Sequence, residues 1–200
     1  MTRGNMRRTI AAAAALLLPT AAQAHLVNTG FGPFYDGVSH FLLTPEDALP
    51  ALALALLAGL RGARAGRLAL FALPGAWLVC GIAGLAWPSP SPAGMLTTLS
   101  FLALGGLVAA DARLPPGWVA GVALVLGSLH GYLNGSAMAQ AKLGPLGLAG
   151  IVAALFVVVA LAAALVVALR APWSRIAVRV AGSWIAAAGL LLLGWTLRAA

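Results

Sequence analysis

The sequence predicts an all-α membrane protein, a bundle of six transmembrane helices behind a cleaved N-terminal signal peptide. Three observations predict it. The 200 residues are 62% hydrophobic and 8% charged, with a mean hydropathy of +1.00, whereas soluble domains carry roughly 25% charged residues. The apolar residues fall into runs near the length of a bilayer crossing, about 20 residues. The N-terminus has the three-part pattern of a secretory signal.

That signal occupies residues 1–24: Arg3, Arg7 and Arg8, an apolar stretch from Ile10 to Leu18, Pro19, then Ala22-Gln23-Ala24 as an A-x-A cleavage site. Cleavage there makes His25 the mature N-terminus of a single membrane domain, residues 25–200. The first span is expected at about 45–60. Thr44 supplies a capping hydroxyl, Pro45 suits the first helical position, and Glu46 and Asp47 sit where the helix dipole favours acids. Further spans are expected at about 68–87, 93–110, 117–135, 145–169 and 176–197.

Charge orients these spans. With residue 25 outside, the inward connections hold Arg61, Arg64, Arg67, Arg113, Arg170, Arg175 and Arg179, against Lys142 and Arg198 outside. Seven against two obeys the positive-inside rule. The expectation is a multi-pass protein of the bacterial inner membrane with both mature termini periplasmic. The net charge of +8 reports this orientation and not a nucleic-acid partner; the partners implied are the lipid bilayer and a metal ion. The one cysteine, Cys80, lies in an apolar run and excludes a disulfide framework. No solenoid repeat, duplication of halves or P-loop spacing is visible.

The orientation also sorts the ionisable groups. His25, Asp36, His40, Glu46 and Asp47 precede or open the first span, and His130 lies near the outer end of the fourth. All three histidines and three of the four acids thus share one membrane face, while Asp111 alone lies at the other. Imidazole mixed with carboxylate suits divalent first-row metals, and ionisable groups in spans are functional suspects. Asn134 follows His130 by one helical turn, and Gly127, Gly131 and Gly135 make a neighbouring stripe at which a second helix can approach closely. That close helix is expected to bring His130 toward Glu46 and Asp47. Each residue also has a plain reading: Glu46 and Asp47 as dipole partners, Asp36 as a turn residue beside Gly37, His25 as a solvated end and His130 as an interhelical hydrogen-bond partner.

Two stretches resemble motifs of the HupE/UreJ family. His40-Phe41-Leu42-Leu43-Thr44-Pro45-Glu46-Asp47 is similar to a family pattern H-P-x-x-G-x-D-H, with Glu46 in place of its aspartate and Asp47 in place of its second histidine. His130-Gly131-Tyr132-Leu133-Asn134-Gly135 resembles H-G-x-x-H-G, with Asn134 in place of a histidine. The resemblance implies a nickel or cobalt permease whose metal residues are His40, Glu46, Asp47 and His130, with His25, Asp36 and Asn134 beside them. The departures make the site richer in oxygen.

The expected function is a permease that captures a divalent transition metal, nickel or cobalt first, at the periplasmic face. Thr97, Thr98 and Ser100 are placed to continue a polar route, although such hydroxyls commonly bond their own helix backbone. The alternative is a metal-holding or sensing protein without transport, taking copper through the amine and imidazole of His25. An enzyme is not expected: Ser128 and His130 point to different helix faces, and no G-x-S-x-G elbow is present.

Overall fold

A computed structural model of the chain describes residues 28–89 and 94–199. The expected signal peptide and His25 lie outside the described residues. Seven helices make up the regular structure described: α1 (Pro33–Leu43), α2 (Pro45–Leu60), α3 (Ala63–Ala86), α4 (Gly94–Ala109), α5 (Pro116–Gln140), α6 (Gly144–Ala168) and α7 (Pro172–Ala199).

By length and apolarity α3, α5, α6 and α7 can each cross a membrane, and α1 with α2 passes the same test as one pair bent by 71°. Helix α4 is a shorter apolar helix of 16 residues, about 24 Å long against a hydrocarbon core of about 30 Å. Four or five described helical units are therefore long enough to span, where the apolar runs alone lead to six.

The sequence reading starts the first helix at Pro45; the structure adds α1 ahead of it. Pro33 opens α1 after Gly32, whose φ of 98° lies in the left-handed region that favours glycine. Pro45 then forces the break, because the residue before proline is pushed out of helical geometry. Thr44 accordingly sits at φ −100°, ψ 96°, and its carbonyl accepts from the Asp47 and Ala48 amides at 3.0 Å each. Its hydroxyl makes no capping bond, contrary to the expectation from sequence.

Helix α2 is the centre of the bundle and touches every other helix. Its residues Ala51, Ala53, Leu54, Ala55, Leu57 and Ala58 are fully buried. A helix apolar on all faces is one that neighbours surround.

Around it, helices pair through small residues. The stripe Gly127, Gly131 and Gly135 on α5 packs against the α3 backbone, at Leu73, Trp77 and Gly81. A Cβ at Gly127 would stand 2.6 Å from the Leu73 carbonyl oxygen. The close partner of this stripe is thus α3, and not the helix bearing Glu46 and Asp47; His130 reaches α2 from an adjoining face of α5. Gly37 and Gly150 join α1 to α6, and Gly105, Gly182 and Gly189 join α4 to α7, by the same backbone approach.

The far end of α2 is held by charge. Arg61 and Arg175 both bond Asp111, Arg175 at 2.9 and 3.1 Å, and Arg179 Nε donates to the Ala109 carbonyl at 2.9 Å. These contacts tie α2, the α4–α5 connection and α7 together, and they hold Asp111 at a left-handed φ of 50°. Burial opposes ionisation of Asp111, but the Arg175 hydrogen bond and the charges of Arg61 and Arg175 outweigh it and keep its carboxyl below the ordinary range.

Two outcomes follow from this packing. Gly127→Val should destabilise the purified protein by about 1–3 kcal/mol through overpacking, whereas Gly121→Val on the same helix, where a Cβ meets nothing within 4 Å, should leave thermal unfolding in detergent unchanged. Because the folded pKa of Asp111 is lowered, its stabilisation is present above the unfolded carboxylate pKa and lost as pH falls through the folded one. The stability gap between wild type and Asp111→Asn should therefore be full at neutral pH and close in acid.

Candidate functional site

At the opposite end of α2 a second polar cluster forms inside the bundle. Asp47, in the first turn of α2, is 6% exposed, and His130 of α5 is completely buried. Asp47 Oδ1 lies 2.8 Å from His130 Nδ1, and His130 Nε2 lies 3.1 Å from the Ser100 hydroxyl of α4. Trp77 of α3 covers the imidazole, with ring centroids 5.5 Å apart. The imidazole is therefore engaged at both nitrogens and covered on a face.

Proton counting defines this chain further. Ser100 has one hydroxyl proton, and its Oγ is 2.6 Å from the Thr97 carbonyl, which can only accept. With that proton spent on Thr97, His130 Nε2–H donates to Ser100. The Asp47–His130 contact then carries one proton, held either as imidazolium with carboxylate or as imidazole with carboxylic acid. The order carboxylate, imidazole, hydroxyl is that of a nucleophilic triad, but the serine proton points away from the base. Ser100 acts as a support that orients His130.

One turn along α5, Asn134 is 3% exposed, and its Nδ2 donates to the His130 carbonyl at 3.0 Å. Its Oδ1 is buried without a hydrogen-bond partner. The half-buried His40 of α1 interacts with the Asn134 side chain and feels the charges of Asp47 and Glu46. The two motif stretches thus meet crosswise, Asp47 against His130 and His40 against Asn134.

The expected site residues divide accordingly. His40, Asp47, His130 and Asn134 come together at the joint between α1 and α2. Glu46 stays on the exposed rim. Asp36 is taken by its own turn, accepting from the Thr29 amide and hydroxyl at 2.6 Å each. His25 lies outside the described residues. Among the described residues no group of three or more His, Cys, Asp or Glu side chains is placed to hold a metal ion. Asp47 and His130 form a pair, His40 lies within reach of the Asp47 charge and of the Asn134 side chain, and the remaining oxygen donor is the amide of Asn134.

Trp77 escaped the sequence reading, and Ser100, read there only as part of a polar route, has a further role. Ser100 does bond its own helix, as such hydroxyls commonly do, but it also holds His130. Trp77 is fully buried with an unpartnered Nε1; a tryptophan within an apolar run carries no signal of this role. Ser100 also lines an otherwise apolar cleft of about 600 Å³ between α4 and α5.

Comparison with known proteins gives one family: the model described as HupE / UreJ protein matches residues 13–192. No curated protein and no solved structure matches the chain significantly.

Removing one partner of a buried, hydrogen-bonded polar pair leaves the other unsatisfied, at about 1–3 kcal/mol and more where it is charged. Asp47→Ala and His130→Ala should each destabilise strongly, and the double variant by less than their sum. A thermal-unfolding double-mutant cycle should give a coupling of about 1–3 kcal/mol; strict additivity would show that the pair does not form.

Proposed function

The chain belongs to the HupE/UreJ family, and from that membership we propose that it is a membrane permease for a divalent transition metal, nickel or cobalt, captured at the periplasmic end of the bundle. The observation that carries the reading is the convergence of His40, Asp47, His130 and Asn134 at the broken joint between α1 and α2. The helices and the family are those of a multi-pass membrane protein. The seven arginines at the opposite end support placing this joint toward the periplasm.

The chemistry of the donors supports a cation as cargo. Imidazole nitrogens with carboxylate and amide oxygens suit nickel and cobalt. Asn134 Oδ1, buried and facing only the His40 imidazole, offers an oxygen to a cation beside it. Asp47 and His130 share one proton across their 2.8 Å contact, and an entering cation takes the place of that proton. Capture therefore releases a proton and weakens in acid. Glu46, exposed beside the joint, offers a first carboxylate to a hydrated ion.

Cells expressing the protein should accumulate radioactive nickel or cobalt above cells with empty vector. His40→Ala and Asp47→Asn should abolish the excess. Ser100→Ala, which releases the imidazole from its support, should weaken apparent affinity by about 10–100-fold. Accumulation no greater than in control cells, unchanged by His40→Ala, would sink the proposal.

A further inference from the structure

The arginine-rich end holds more positive charge than its contacts use. Arg61 and Arg175 are committed to Asp111, and Arg179 to the Ala109 carbonyl. Among the described residues four arginines of this end, Arg64, Arg67, Arg113 and Arg170, are exposed with no side-chain hydrogen bond or ion pair. Two of them, Arg67 and Arg170, line one cavity of about 370 Å³ between α3 and α6.

Below the two guanidinium groups that cavity is apolar. Gly66 and Leu70 of α3 face Ala160, Ala163, Ala164 and Val167 of α6 across it. Both walls are built largely from small residues, and at the groove floor Gly66 comes close to Ala163, where an added Cβ would make ordinary contact with Ala163 Cβ at 3.6 Å. Arg170 also lines a second, more polar cavity of about 240 Å³, shared with Arg175 at the start of α7. It thus stands where an apolar groove and a polar recess meet.

A ligand matching both halves has an anionic head and an apolar tail. A free phosphate would satisfy the arginines and leave the groove unfilled, and a zwitterionic lipid would bring its own ammonium toward them. We propose that this groove binds one anionic phospholipid, its phosphate between Arg67 and Arg170 and one acyl chain along Leu70, Ala160, Ala164 and Val167. Basic recesses between transmembrane helices recognise anionic headgroups by this combination of charge and apolar depth. The site lies at the opposite end from the His40–Asp47–His130 joint and is independent of what that joint carries.

The test is native mass spectrometry of the full chain purified in detergent, titrated with phosphatidylglycerol or phosphatidylcholine of matched chains. One phosphatidylglycerol should be retained at least tenfold more tightly than phosphatidylcholine. Arg67→Gln with Arg170→Gln should reduce that retention about fivefold per arginine, roughly 25-fold for both. Arg64→Gln with Arg113→Gln removes the same charge from residues that do not line the groove and should leave the single bound lipid in place. Ala164→Phe, which fills the groove without changing charge, should also lower retention. Equal retention of the two lipids, or equal loss from the two arginine pairs, would overturn the proposal. So would displacement by inorganic phosphate together with indifference to Ala164→Phe, which would assign the arginines to a free anion.

Discussion

The buried contact between Asp47 and His130 constrains the rest of the bundle. Ionisable side chains inside an apolar assembly are tolerated when each satisfies the other, and this pair is enclosed almost completely. Keeping the two within 2.8 Å fixes α5 against the start of α2. Helix α5 is held on another face by backbone contact with α3, where Gly127, Gly131 and Gly135 have no side chains to intervene. The glycine stripe and the polar stripe are thus two halves of one device. Without close approach to α3, α5 would stand too far out for His130 to sit under Trp77 and reach Asp47.

Helix α2 extends that constraint through the molecule. Asp47 lies in its first turn and Arg61 caps its last, about 21 Å apart along the axis at 1.5 Å per residue. One end is tied to α5 by the Asp47–His130 pair, the other to the α4–α5 connection and α7 through Asp111. Between them the helix is mostly alanine and leucine, buried along nearly all of its length from Pro50 to Leu60. Close-packed interiors shift between discrete arrangements and do not deform smoothly, so a displacement of α2 at its polar joint has to be answered at the arginine end.

Much of this architecture was legible in the sequence because apolar runs in a membrane protein are long and charges are confined to their ends. The helices fall on those runs, and the same logic separated Asp111 from His40, Asp47 and His130. Helix α1 was hidden because eleven residues containing Asp36, Ser39 and His40 read as a polar approach to the first span. The partner of the glycine stripe was hidden for a different reason: spacing shows that a helix can approach closely but not which one. The Asp111 network joins residues 50 and 64 positions apart, and its arginines look in sequence like simple orientation signals. Ser100 shows the limit of local rules, since its bond to Thr97 is the expected one and its contact with His130 is a tertiary fact.

The crossed pairing gives a physical account of the departures from the family motifs that the chain resembles. Asp47 and Asn134 stand where those motifs carry imidazole, and each faces a histidine that is retained, Asp47 against His130 and Asn134 against His40. Imidazoles at all four positions would set nitrogen against nitrogen, and protonation of both members of a pair would repel. Carboxylate and amide partners remove that repulsion: the Asp47–His130 pair is satisfied by one shared proton, and Asn134 anchors itself to the His130 carbonyl. On the proposed reading the two substitutions also change the cargo chemistry, because two nitrogens and at least two oxygens form a harder donor set than four imidazoles. On that same reading ion preference would follow from Asp47 and Asn134, with His40 and His130 supplying the nitrogens that suit first-row metals.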